Sequence, residues 1–462
     1  MNQPESAARI SSWIEAHRDE MVAALREQLR IPSKEGPPAE GAPFGAECRK
    51  ALDLALAMAA EAGFRTRNLD GYAGHAEFGD GSEMVMALGH LDVVPEGEGW
   101  KFDPYGAEVA DGYIYARGAV DDKGPTYAAF FAARAIKELG LPIRRRIRIV
   151  FGCNEESGFR CVKHYFEHEE APTLGFAPDA EWPLIYAEKG VANLTISRRV
   201  EQGSGLRIAS LEGGERPNIV PDRARATLTG PEPDLRGASD RLAEYWDRNV
   251  TAVLSDGELQ VTAIGKAAHA STPFLGDNAA SRLLRALRTL ELPSDGQWVD
   301  ALFRASDPAG AGLGIHGRDE IVGDLTSNLG ILRVRGGVVT ALFNIRYPVE
   351  WRGDRLLERV GSFLHASGFE IDELTDSKPL HVPVDQEPVR SILAVLEEEF
   401  GEAQRPGTMG GGTYARAVPN TVAVGTCWPG DGVAHEPNER YAISSYLRAT
   451  AIYARILLRL AS

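Results

Sequence analysis

Several apolar segments of this chain stop abruptly at histidine or acidic residues, and that pattern constrains the fold more than any other feature. MVMALG runs into His90-Leu91-Asp92, RIRIVFGC into Asn154-Glu155-Glu156, and LGFA into Pro178-Asp179. Short apolar runs of this kind read as buried strands, here Met84–Leu88, Arg146–Cys153 and Leu174–Ala177. Helical periodicity occupies residues 6–31, 45–63 (closed by Gly63) and Gly124–Leu139. Strands alternating with helices predict an α/β layer with a largely parallel sheet.

The pattern changes near Glu188–Val191. From there to about Leu380, alternating segments (Leu194–Arg198, Arg207–Leu211, Gln260–Ile264, Leu329–Ile345) are interleaved with helical stretches near Asp234–Asn249, Asn278–Thr289 and Gln297–Ala305. This predicts an α+β domain inserted into the first. Pro379–Val389 reads as the linker crossing back, ahead of a helix at Val389–Phe400, a strand at Val422–Gly425 and a long helix from Tyr441 to Leu460. Pro37–Pro43 reads as a loop. A chain of 462 residues is too long for one simple core, so two domains are expected.

Composition narrows the function classes. A formal net charge of −16 disfavours a nucleic-acid partner and an anionic membrane surface. The start MNQPESAARI lacks the pattern of a signal peptide, and no apolar run approaches the roughly 20 residues that span a bilayer. The four cysteines, Cys48, Cys153, Cys161 and Cys427, are scattered without a CxxC pair, which reads as reduced thiols in a cytoplasmic protein. Any metal must therefore be held by His, Asp and Glu.

The strand-end clusters supply such donors. His90 and Asp92 sit two apart at a strand end and point the same way, toward the edge where α/β sheets place their sites. In YARGAVDDKGP, Asp121 and Asp122 lie between a glycine turn and a helix start. Helix capping is the plain alternative there, and adjacent side chains diverge, so one carboxylate enters a site while the other caps or orients. Glu155 and Glu156 follow a fully apolar strand, where acids are costly unless paired. Asp179 closes another strand, and His435 lies in a loop before the last helix. In a chain with ten histidines this joint pattern predicts a His/Asp/Glu centre, suited to zinc, manganese or cobalt. A shared carboxylate could hold two such ions roughly 3.5 Å apart.

The ordered motifs GHLDVVP, GAVDDKGP, NEESG, APDAEWP and HEPNE resemble the metallopeptidases related to aminoacylase, succinyl-diaminopimelate desuccinylase and bacterial glutamate carboxypeptidase. VPEGEGW, YARGAVDDKGPT, APDAEWP and GGGTYAR are more narrowly similar to dipeptidases of the peptidase V type. The resemblance implies a phosphorylase/hydrolase-like catalytic domain formed by 1–189 and 381–462, with an inserted lid at 190–380. It implies two divalent ions, zinc first, with manganese or cobalt as alternatives. His90, Asp121 and Asp179 would hold one, and Asp121, Glu156 and His435 the other, with a cis peptide between Asp121 and Asp122. Asp92 would orient His90. Glu155 would act as general base and then acid, taking a proton from water held between the metals and passing it to the leaving amine. His269, in KAAHASTP, would stabilise the oxyanion. Asn218 and Arg346 would hold the substrate, Arg346 as a carboxylate clamp.

The segment Thr408–Arg416 lacks the GK[ST] ending of a phosphate loop, and backbone amides at Gly411 and Gly412 could receive a carboxylate instead. The size of the insert resembles a doubled lid, which implies a self-sufficient monomer, with a homodimer as the alternative. The expected substrate is a small dipeptide. Two alternatives are an N-acyl-amino-acid or succinyl-amine deacylase on the same site, and a non-catalytic metal-dependent binding protein. The last would be expected to lack Glu155 or a ligand, and none is missing.

Overall fold

The computed structural model describes residues 3–200, 203–351 and 353–462. They divide into two units: Met1–Ala187 with Leu380–Thr408 and Thr413–Ser462, and Glu188–Pro379 with Met409–Gly412. The second unit thus takes four residues from the span 381–462 expected for the first. Within it the amide of Lys189 donates to the Met409 carbonyl at 3.0 Å.

The first unit is a mixed α/β structure. Its sheet runs Arg65–Leu69, Ala73–Phe78, Arg146–Gly152, Met84–His90, Leu174–Ala180, Thr421–Gly425, Leu184–Glu188 and Leu380–His381. The four strands from Arg146–Gly152 to Thr421–Gly425 pair in parallel, and antiparallel strands flank them. Met84–His90 is buried at every position, the condition of a central parallel strand. Helices Lys123–Glu138 and Ile443–Ala461 pack on each other and on this strand. Parallel strands bring their C-terminal ends to one edge of the sheet, which is where ligands gather in open α/β folds. His90 and Asp179 stand at two of those ends, and Glu155 follows a third.

The local sequence accounts for the principal boundaries. Lys123–Glu138 is alanine-rich, and its Pro125 falls in the first turn, where a missing N–H leaves no hydrogen bond unmade. Ala46–Glu61 ends at Gly63 (φ +74°), whose amide donates to the Ala60 carbonyl while the Phe64 amide reaches Ala59. The single helical stretch expected over 6–31 is two helices, Gln3–Ala16 and Arg18–Leu29, broken at His17.

The second unit carries an eight-stranded sheet in the order Val250–Ser255, Glu258–Ile264, Arg223–Thr229, Arg207–Gly213, Thr326–Arg335, Val338–Tyr347, Gly190–Arg199, Glu370–Ser377. All its pairings are antiparallel. Its core gathers Leu283, Leu287, Trp298, Leu302, Phe343 and Ile345. Helix Ala279–Leu287 is capped by Asn278, whose Oδ1 accepts from the amides of Ala280 and Ser281. The segment Leu329–Ile345, expected as one alternating stretch, is a hairpin that turns at Gly336-Gly337, both at positive φ. Among the described residues no helix is long and apolar enough to cross a membrane.

One close approach fixes the helix after the Asp pair against the central strand. A Cβ on Gly89 would lie 1.9 Å from Thr126 Oγ1 and 2.7 Å from Asp122 Oδ2. Gly89→Ala is therefore expected to cost about 1–3 kcal/mol, the usual range for overpacking, read as a lower urea midpoint for the chain in chelator.

Candidate metal centre

His90 is wholly buried at the end of its strand. Its Nδ1 lies 2.9 Å from the Asp92 carbonyl. A carbonyl only accepts, so Nδ1 carries the proton and Nε2 of the neutral ring is left with a lone pair. That nitrogen faces Asp121 Oδ1 at 3.1 Å and Asp179 Oδ2 at 3.9 Å. The other oxygen of Asp121, Oδ2, is 3.0 Å from His435 Nε2, which in turn is 3.1 Å from Glu156 Oε1. Asp121 thus presents one carboxylate oxygen to each of two imidazoles.

Two overlapping sets of donors, His90 with Asp121 and Glu156, and His90 with Glu155 and Asp179, each have one atom per residue within 4.8 Å of the others. The five residues expected as metal ligands and the expected base are brought together. Asp92 does more than face the histidine. Its Oδ1 is 3.5 Å from His90 Nδ1, and its two oxygens accept the amides of Glu155 and Glu156 at 3.1 Å each. It therefore holds the backbone of the acid pair while its carbonyl holds the ring.

The Asp121–Asp122 peptide is cis, and the two side chains have different partners. Asp122 Oδ2 accepts from the His90 amide at 3.1 Å and the Thr126 hydroxyl at 2.9 Å. Its Oδ1 is buried without a partner.

The electrostatics are those of a site built around positive charge. Burial raises the pKa of Glu155, and nearby Glu156 and Asp121 raise it further. Burial also raises Asp179, reinforced by Asp121 and Asp122, and raises Glu156, reinforced by Asp121. Burial alone would lower His90, but the hydrogen bonds its ring donates to Asp121 and Asp92 hold it well above its ordinary value. Hydrogen bonds donated to Asp121 and Glu156 push His435 up to about 10. Without a cation, the cluster satisfies itself with protons. Imidazole and carboxylate donors of this kind fit divalent zinc, manganese or cobalt, and the crowding of like charges fits a cation pair better than none.

Sequence reasoning missed the anchor of this loop. Glu439 is completely buried, and its carboxylate accepts from the amides of Gly118, Val120 and Asp121 and from Arg117 Nη1 at 2.7 Å. Its signal was present in HEPNE, four residues after His435. Tyr414, also missed, sets its ring edge-on to His90 with centroids 6.0 Å apart.

The five residues expected to touch substrate or oxyanion all fall in the second unit. The Ala270 amide donates to the Asn218 carbonyl at 2.9 Å, which sets His269 beside Asn218. His269 Nδ1 is 2.6 Å from the Ser271 hydroxyl. Arg346 is buried, its Nε donating to Asn344 Oδ1 at 2.8 Å and its Nη1 to the Gly410 carbonyl at 3.2 Å, next to Gly411 and Gly412.

Comparison with known proteins follows the same lines. The model of peptidase family M20/M25/M40 matches residues 86–459. A Bacillus subtilis (strain 168) protein named "Putative dipeptidase YtjP" is 41% identical over 456 residues, covering 96% of this chain and 98% of its own. Human carnosine dipeptidase 1 shares the fold at a TM-score of 0.59 and 17% identity, covering 98% of each chain. The Saccharomyces cerevisiae di-peptidase Dug1p shares it at 0.60 and 15%, covering 100% of this chain and 99% of its own.

A cation entering this cluster must displace the proton on His435, which stays bound up to about pH 10 in the metal-free chain. Binding of Zn²⁺ should therefore release protons at pH 7 and tighten as pH rises toward 10. Calorimetry in two buffers of different ionisation enthalpy reads this directly; an identical heat in both contradicts it. Zn²⁺ at a hundred times its Kd should add about 2.7 kcal/mol of stability, and Asp121→Asn should remove most of that gain.

Proposed function

The chain belongs to peptidase family M20/M25/M40, and from that premise we propose that it is a binuclear metal-dependent dipeptidase. The observation that carries the metal assignment is the fork of Asp121, whose two oxygens face His90 and His435. In this reading His90, Asp121 and Asp179 hold one ion, and Asp121, Glu156 and His435 hold the other. Bound there, two divalent ions polarise the scissile carbonyl and make water a stronger acid.

Everything else is work for the chain's own residues. Neither histidine is hydrogen-bonded to Glu155, which leaves its carboxylate available to accept and return a proton. It takes the proton from the attacking water and delivers it to the leaving amine, so that no covalent intermediate forms. Asp92 keeps Glu155 and Glu156 in place through their amides. His269 is assigned to the developing oxyanion, and Asn218, Arg346 and the amides of Gly411 and Gly412 to the substrate's polar ends. These assignments rest on the family motifs. The dipeptide as substrate is favoured by the dipeptidase name of the 41%-identical relative.

Glu155→Gln should keep the stabilisation by Zn²⁺ and lose activity by roughly 10²–10⁴-fold. Near-normal turnover in that variant excludes Glu155 as the base. A second assay compares dipeptides bearing a free amino end with the same compounds N-acylated. Hydrolysis is expected for the free series; cleavage confined to the acylated series would instead make the chain a deacylase.

A further inference from the structure

The helix Arg160–His168 carries a second group of donors that the catalytic reading does not use. His164, Glu167 and His168 stand at i, i+3 and i+4, on one face of the helix. One ligand atom from each lies within 4.8 Å of the others. Both rings are oriented by acceptors. His164 Nε2 is 2.9 Å from Asp70 Oδ2, and His168 Nδ1 is 2.9 Å from the His164 carbonyl. A carboxylate and a carbonyl can only accept, so each neutral ring carries its proton on the bonded nitrogen and keeps a lone pair on the other. This is the arrangement by which outer partners prepare a ligating imidazole. The His164 ring is further fixed by stacking on Tyr72, with centroids 4.1 Å apart and planes at 22°.

We infer that His164, Glu167 and His168 form a third cation site, for a divalent ion of the zinc, copper(II) or nickel class. Imidazole pairs joined by a carboxylate select these ions over magnesium or calcium, and copper(II) binds tightest in that series. The donors of a tetrahedral ion lie roughly 3.4 Å apart, from bond lengths of about 2.1 Å. Glu167 and His168 are exposed, so rotation of their side chains can close the remaining distance, while His164 stays fixed on Tyr72 and Asp70. Spacing of the His-x-x-Glu-His type also occurs in zinc peptidases of other classes, where two histidines one turn apart ligate the ion. Here Asp70 lies on the turn after strand Arg65–Leu69. The three donors share one helix, and the ion would strengthen the existing His164–Asp70 contact with that turn by polarising the ring N–H, a structural role with no part in the chemistry.

The test counts metal on the full chain. Metal-free protein is dialysed against Cu²⁺ and, separately, Zn²⁺, and bound ion is measured by mass spectrometry for the wild type, His168→Ala and His164→Ala/His168→Ala. Both variants should bind one equivalent fewer than the wild type, with peptidase activity unchanged. Copper EPR of the wild type should show nitrogen couplings from this site that His168→Ala removes. Equal stoichiometry in wild type and His168→Ala, or an unchanged spectrum, overturns the site. Because the readout is a difference of one equivalent, it is independent of how many ions the Asp121 centre holds. His168 is exposed, so its replacement leaves the fold intact, and circular dichroism checks that it does.

Discussion

Six carboxylates, from Asp92, Asp121, Asp122, Glu155, Glu156 and Asp179, are gathered with His90 and His435 at one end of a parallel sheet, and the arrangement of the first unit answers to that crowding. Burial first, and the opposition of neighbouring carboxylates second, raise the pKa of Glu155, Glu156 and Asp179. Three devices hold the carboxylates apart by function. Asp92 is occupied by two backbone amides. Asp122 is occupied by the His90 amide and the Thr126 hydroxyl. Asp121 alone is shared between the two imidazoles.

Such an assembly needs a rigid frame, because a ligand displaced by an ångström loses much of its value. The frame is polar and buried. Glu439 takes the amides of Gly118, Val120 and Asp121 and the Arg117 guanidinium, so the loop that presents Asp121 is hung from a single carboxylate. The Arg117–Glu439 pair is almost wholly shielded from water. Removing one partner of such a pair typically costs about 3–5 kcal/mol, since the other charge stays buried. The fold and the site are thus coupled through one ion pair that binds neither metal nor substrate.

What the sequence makes legible follows from the same physics. Largely apolar strands that run into histidine or acids have few explanations, so Met84–His90, Arg146–Gly152 and Leu174–Ala180 are legible along with the candidate donors at their ends. The helix Val389–Phe400 has the bounds its periodicity predicts, and the structure places Pro388 and Gly401 at its two ends. By contrast, Arg65–Leu69 is exposed at four of five positions, and its strand character comes from pairing with Ala73–Phe78 rather than from its own residues. Ala73–Phe78 hides His75 and Glu77, which are tolerated inside because Arg148 and Tyr165 answer them. The same Arg148 interrupts a strand read as apolar. Glu439 escaped because its partners lie more than 300 residues away in the chain, beyond any local pattern. Assignment of Asp121 as the bridge and Glu155 as the base came from family motifs, since spacing alone left each acid pair ambiguous.

The histidines show how such ambiguity is resolved in space. A neutral imidazole has one donor and one acceptor nitrogen, and its neighbours decide which is which. At His90 the Asp92 carbonyl accepts from Nδ1, which turns Nε2 toward Asp121 and Asp179. On the helix Arg160–His168, the His164 carbonyl and Asp70 act on His168 and His164 in the same way. The two places differ in enclosure. His90 is sealed among carboxylates that only cations or protons can neutralise, whereas the helix site opens to solvent, and water can stand in for an ion. The buried cluster therefore balances its charge with protons or cations, while an ion on the helix would exchange with solvent and reinforce the His164–Asp70 contact.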